Sequence, residues 1–143
     1  MDIRVYQPGD EAAVVSLWQE CGLTRPWNDP HKDIARKLLI QPELFLVGVL
    51  EARLIATVMA GYEGHRGWVN YLAVAPRWRG RGCGRALMER VEHLLRALGC
   101  PKVNIQVRTP NADAVAFYRA IGYARDESIS LGKRLIPDDG TAE

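Results

Sequence analysis

At 143 residues, with 48% hydrophobic and 25% charged residues, the chain is sized for one domain with a real core. A net charge of +2 is too small to point to a nucleic-acid partner, and the longest apolar run, residues 44–50, is too short to span a bilayer. Cys21, Cys83 and Cys100 are odd in number and lack a C-x-x-C spacing, which argues against a disulfide framework or a zinc site and fits a reducing compartment.

Residues 3–6 read as a first strand, turned by Pro8-Gly9. Asp10 is placed to cap a helix through about Cys21, with Val14, Leu17 and Trp18 on its buried face and Gly22 as its stop. Asp29 followed by Pro30 is an N-cap and a first helical position, so a second helix is expected to about Leu39, burying Ile34 and Leu38. Residues 44–50 and 54–62 pattern as a hairpin joined by residues 51–53. A turn over 63–67 leads to a fourth strand, 68–74. The third helix spans 84–98, with Leu87, Val91, Leu94, Leu95 and Leu98 on one face, and Gly99 ends it. A fifth strand over 103–107, a fourth helix over 112–121 and one or two strands within 123–135 complete an α/β order with a mixed sheet. The first six residues lack the apolar core of a signal peptide, so a cytoplasmic location is expected.

The chemistry concentrates between the fourth strand and the third helix. Arg77-Trp78-Arg79-Gly80-Arg81-Gly82-Cys83-Gly84-Arg85 alternates three glycines with arginines. Bare backbone ahead of a helix lets N–H groups turn toward an anion at the helix's positive end, and arginine adds bidentate phosphate contacts. The spacing excludes a P-loop, because no Gly-Lys-Ser or Gly-Lys-Thr occurs, and excludes a dinucleotide fingerprint, because Arg85 stands where its third glycine belongs. Cys83 reads either as a thiol activated by the helix end or, more simply, as a small loop residue. A second pattern follows strand five: Asn111-x-x-Ala114-x-x-Phe117-Tyr118-x-x-x-Gly122-Tyr123. Asn111 can cap a helix there, and Gly122 can end it.

Arg79-x-x-Gly82-x-Gly84 resembles the acetyl-coenzyme A loop of the GNAT superfamily of N-acetyltransferases. The second pattern resembles that family's N-x-x-A-x-x-F-Y-x-x-x-G-[FY] motif. Segments at 25–30, 61–67 and 130–135 are similar to a small bacterial subgroup, the YpeA-like proteins. The resemblance covers nearly the whole chain and implies a single N-acetyltransferase domain over residues 1–143. It implies a mostly antiparallel mixed sheet of six to seven strands, flanked by four helices, with strands four and five splayed around the cofactor. The implied reaction moves an acetyl group from acetyl-CoA to a primary amine by direct attack in a ternary complex, releasing coenzyme A.

By the same resemblance, backbone amides of Arg79, Gly80, Arg81, Gly82, Cys83 and Gly84 hold the pyrophosphate with Arg85 beside them. Main-chain atoms of Leu72, Ala73 and Val74 hold the pantetheine, Asn111 meets its far end, and Tyr118 is the general acid. Relatives often carry a glutamate base on strand four or five. Here those strands offer Trp68, Asn70 and Gln106, none of which accepts a proton at neutral pH. The expected alternatives are a water chain to Glu63 or His65, or an amine that arrives neutral. Arg25, Trp27, Asn28 and Tyr62 are the candidate acceptor-binding residues, and no metal is expected. A homodimer through a C-terminal strand is left open, as are the acceptor's identity and two competing readings. One is an acetyl-CoA-binding sensor without catalysis. The other is a nucleic-acid module built on Arg66, Arg77, Arg79, Arg81, Arg85 and Trp78, against which the balanced charge counts.

Overall fold

A computed structural model describes residues 1–108 and 110–138. The strands are β1 (Asp2–Val5), β2 (Phe45–Leu50), β3 (Arg53–Tyr62), β4 (Gly67–Val74) and β5 (Val103–Ile105). The helices are α1 (Glu11–Glu20), α2 (Pro30–Lys37), α3 (Cys83–Ala97) and α4 (Ala112–Ala120). The sheet runs in chain order, antiparallel until the last pair, where β4 and β5 are parallel. Residues 45–48 of β2 and 55–60 of β3 are buried on both faces. Such strands need cover on two sides: α1 packs on β3 and β4, and α3 packs on β2, β3 and β4.

Cross-strand partners point to the same face, which fixes what each layer meets. Thr57 accepts from Trp18 Nε1 of α1 at 2.9 Å, so Thr57 and its partner Ala73 face α1. Gly67 lies under Leu95 of α3, and Val74 under Gly84, so these residues face α3. The core on the α1 side stacks Tyr6 on Phe45 (4.5 Å between centroids) and Phe45 on Trp18. On the other side Leu87, Met88, Val91 and Leu95 of α3 are buried, whereas Leu98, expected on that face, is half exposed at the helix end.

Several expected caps and lengths change. Asp10 does not cap α1. Its carboxylate is held by Arg4 at 2.7 and 2.9 Å and by the Gln7 N–H, which spends it on closing the preceding turn. Asp29 does cap α2, accepting from His31 N–H, but α2 ends at Lys37 and leaves Leu38, expected to be buried, exposed together with Leu39 and Ile40.

The larger correction concerns the sheet. Five strands are present among the described residues, not six or seven, and β5 stops at Ile105 instead of residue 107. The segment after α4 is attached by side chains instead of a backbone ladder. Asp126 accepts from Lys102 Nζ (2.9 Å) and Asn104 Nδ2 (2.6 Å), and Gln106 bonds Ser130. Ile129, Leu131 and Leu135 are all more than four-fifths exposed, so the strands expected within 123–135 have no apolar face to bury. No helix among the described residues is long and apolar enough to cross a membrane.

Candidate active site

β4 ends in a 3-10 turn at Pro76–Trp78, and the glycine loop begins there. Gly80 (φ 75°) and Gly82 (φ 82°) sit in the left-handed region that L side chains resist. A Cβ at either would meet nothing within 4 Å, so these glycines serve backbone shape beneath open space. Gly82 is the N-cap of α3, with no side-chain cap and no acidic residue in the first turn. The first N–H groups of a 15-residue helix therefore have no side-chain acceptor, and the helix end is positive.

Gly84 has a different duty. A Cβ there would lie 3.1 Å from Phe117 Cζ, so its absence seats α4 on α3. The arginines mostly brace the loop. Arg79 Nε donates to Val74 O (3.1 Å), Arg85 pairs with Glu89 (3.3 Å), and Arg81 and Arg77 lie over Trp78 at 4.9 and 5.8 Å. Cys83 is part-buried against the core edge.

Pairing between β4 and β5 covers only Gly67↔Val103 to Val69↔Ile105. Beyond it, residues 70–74 of β4 have no strand beside them on that edge among the described residues. The same stretch carries a bulge. Thr57 pairs with Ala73 and Met59 with Asn70, so β4 spends one more residue than β3 between these rungs. Tyr71 takes up the excess with φ 51°.

Simple alternation would turn Tyr71 toward α3. The bulge turns it toward α1 instead, where its ring stacks on Trp18 at 3.7 Å. Thr57 Oγ1 receives Trp18 Nε1–H and donates to Tyr71 O, each at 2.9 Å, so one buried hydroxyl ties helix, sheet and bulge together. Tyr71 OH then donates to Asp33 Oδ2 (2.6 Å) and accepts from Asn28 Nδ2 (3.1 Å). Asn28 Nδ2 also donates to Asp33 Oδ2, and Arg134 donates to Asn28 Oδ1 at 3.3 Å. Burial and the Asp33 carboxylate push the Tyr71 phenol well above its ordinary range, so it stays a donor.

Tyr118 and Asn111 come from α4. Asn111 Oδ1 caps that helix by accepting from Ala114 N–H at 3.1 Å. Tyr118 lies part-buried between Phe117 and Tyr123, both in edge contact. Burial pushes its phenol up to about 12, and its hydroxyl takes no hydrogen bond among the described residues.

The other expected residues disperse. Glu63 Oε1 accepts N–H groups from His65 and Arg66, which closes its own turn at the far end of β4. Tyr62 is clamped by Gln41 through its main chain, and its hydroxyl donates to Gly64 O. Arg25 donates to Gly22 O and Thr24 O, and Trp27 is part-buried in the same loop. Of that group only Asn28 joins the network at the bulge. Asp33 and Tyr71 escaped the sequence reading because a bulge has no composition signal here. Tyr71 in an alternating strand reads as ordinary core.

The profile of the acetyltransferase (GNAT) family matches residues 12–123. A Yersinia enterocolitica protein named as an acetyltransferase is 50% identical over 138 residues, covering 96% of this chain and 98% of that protein. Among solved structures, Ard1 from Thermoplasma volcanium superposes with a TM-score of 0.75 at 27% identity, covering 86% of this chain and 82% of that one. Naa20 from Chaetomium thermophilum, solved with a bisubstrate analogue, gives 0.69 at 25% identity over 87% and 71% of the two chains. The glycine loop, the short β4–β5 pairing and the matched profile all fall within one continuous fold, and this chain belongs to the GNAT family of acetyltransferases, which makes it an acyltransferase.

Proposed function

We propose that the chain is one acetyltransferase domain that moves an acetyl group from acetyl-CoA to a primary amine, by direct attack while both are bound. The observation that carries this reading is the free edge of β4 over residues 70–74, continuing into the uncapped N-terminus of α3. An extended arm with amide groups finds strand-like partners along that edge. A pyrophosphate at its end finds helix N–H groups and a positive dipole.

Main-chain atoms of Leu72, Ala73 and Val74 bind the pantetheine in this scheme. The Val74 carbonyl already receives Arg79 and Cys21, and Ala73, paired with Thr57, turns its carbonyl toward β3, so the outward carbonyl left for the arm is that of Leu72. The amides from Arg79 to Gly84 receive the phosphates, and Arg85 stands at the start of α3. Asn111 keeps its Oδ1 in the cap and turns its amide N–H to the arm. Holding the thioester oxygen against fixed N–H donors stabilises the developing oxyanion. Tyr118, kept neutral by burial, is the donor to the departing sulfur. Glu63 acts on the amine only through water, since its carboxylate closes its own turn.

Thermal unfolding with and without acetyl-CoA, with ATP and NAD as controls, tests the reading. At about 100 times Kd, one-site binding adds roughly 2.7 kcal/mol, or a Tm rise on the order of 5–10 °C. An equal response to ATP, or none to acetyl-CoA, would sink it.

A further inference from the structure

The bulge does more than shape β4: it delivers a tyrosine hydroxyl to a carboxylate that no part of the acetyl-donor scheme uses. We infer that Asp33 is the anchor for the acceptor's ammonium group, oriented by Tyr71 and Asn28, so that the acceptor class is an aliphatic amine that arrives as a cation. The amine passes one proton through water to Glu63 before its lone pair attacks the thioester carbon, and the thiolate leaves with the Tyr118 proton. This inference rests on the acetyl-CoA reading above and deepens it on the acceptor side.

Both donors converge on one oxygen. Asp33 Oδ2 receives Tyr71 OH at 2.6 Å and also the Asn28 amide. Among the described residues, Oδ1 receives only Arg36, at a long 3.5 Å. An ionised carboxylate offers about four lone-pair sites, so Oδ1 keeps capacity for an incoming N–H donor. The Asp33 side chain is about one-fifth exposed, which leaves it reachable yet partly desolvated. The groups around it are Arg36 from its own helix, Tyr71 from β4, and Asn28 with Arg134 behind it. Arg36 is shared with Asp138, whose buried carboxylate holds it at 2.6 Å, so the guanidinium does not neutralise Asp33 alone.

Position matters as much as charge. Tyr71 is the bulge residue, on the stretch of β4 whose edge is free, and one hydroxyl separates it from Asp33. Arg36 also borders an open surface hollow with Gly132, Lys133, Arg134, Leu135 and Ile136, so the approach to the carboxylate from that side is not walled off. Trp18 on the other side of Tyr71 and Thr57 beneath it keep the phenol from swinging away.

The experiment measures coenzyme A release at saturating acetyl-CoA. The ammonium probes are tyramine, N-α-acetyl-lysine amide and trialanine amide. The contrasting probe is 4-aminobenzamide, an arylamine that is neutral at pH 7.5. Wild type is expected to acetylate at least one ammonium probe in preference to the arylamine. Asp33→Asn is expected to keep the Tm rise with acetyl-CoA while KM for that probe rises about 10- to 100-fold, the size of a lost charged hydrogen bond. Asp33→Glu, which keeps the charge, should recover part of the loss. Tyr71→Phe leaves the carboxylate but not its orientation, and should raise KM about 3- to 10-fold, within the range of one hydrogen bond. A KM for Asp33→Asn within about threefold of wild type would overturn the assignment. So would equal use of the arylamine, or acetylation of none of the probes by wild type that binds acetyl-CoA. Wild type without the acetyl-CoA response would instead remove the donor reading, and this inference with it.

Discussion

On the proposed acetyl-donor side of β4, Gly80, Gly82 and Gly84 act through the side chains they lack. On the proposed acceptor side, Trp18, Asn28, Asp33, Thr57 and Tyr71 act only through theirs. The first side is a backbone surface: left-handed φ values, an uncapped helix end, and one Cβ-free contact with Phe117. The second is a chain of directed bonds running from α1 through Thr57 to the bulge, and from the bulge to α2. A backbone surface suits a ligand part that is always the same. Side chains brought together from distant positions can be exchanged one at a time, which suits a ligand part that can change.

Removing the Thr57 hydroxyl should give the largest change in stability. Thr57→Val conserves shape but leaves the Trp18 N–H and the Tyr71 carbonyl without their shared partner in a fully buried place. Each orphaned group costs about 1–3 kcal/mol, so a loss of about 2–5 kcal/mol is expected from the urea midpoint. If the two sides are built independently, a Tm rise with acetyl-CoA should survive in this variant. A loss under about 1 kcal/mol would mean that packing on Trp18, not the hydroxyl, holds the bulge.

The same contrast explains what the sequence made legible. The helices and β1 to β4 follow from periodicity and from Gly22, Pro30 and Gly99, because those signals are local. The glycine loop was legible for the same reason: a left-handed φ favours glycine, and alternating glycines ahead of a helix signal it locally. The bulge was not, since Tyr71 adopts φ 51° without being a glycine and is held there by a threonine 14 residues earlier. Asp33 was read only as a residue of α2, because its two donors lie at positions 28 and 71 and meet it only in the folded chain. The strands expected after Gly122 do not form. Among the described residues no backbone ladder pairs that stretch to the sheet: Asp126 and Asp138 fix it by side-chain bonds, with its apolar residues outward.

Tyr118 tests the donor side without disturbing its backbone. Its hydroxyl bonds no described residue, so Tyr118→Phe should leave Tm within about a degree. Loss of a proton donor in the transition state should lower kcat about 100-fold with little change in acetyl-CoA binding. The sign of its pH dependence follows from burial, which disfavours the phenolate. The stability that Tyr118 contributes is complete below the ordinary phenol pKa near ~10 and is lost as pH rises toward about 12. Wild type should therefore weaken over that window more than Tyr118→Phe does, in urea melts taken across it. Activity below about pH 10 should show no limb from this group.

The smallest effect should come from Arg85, and it separates two ways of building the donor side. Its ion pair with Glu89 is about two-thirds exposed on both partners, so Arg85→Ala should change stability by less than about 0.5 kcal/mol. If backbone amides and the α3 dipole carry the phosphates, losing one exposed charge should weaken acetyl-CoA binding only about 2- to 5-fold. Added salt should shrink the difference between variant and wild type, because exposed charges are screened within about 8 Å at physiological ionic strength. A loss beyond about 30-fold at unchanged Tm would show that arginine side chains, not the glycine backbone, hold the phosphates. The donor side would then resemble the acceptor side in its construction, and the alternation of Arg with Gly would have to be read as a charge pattern first.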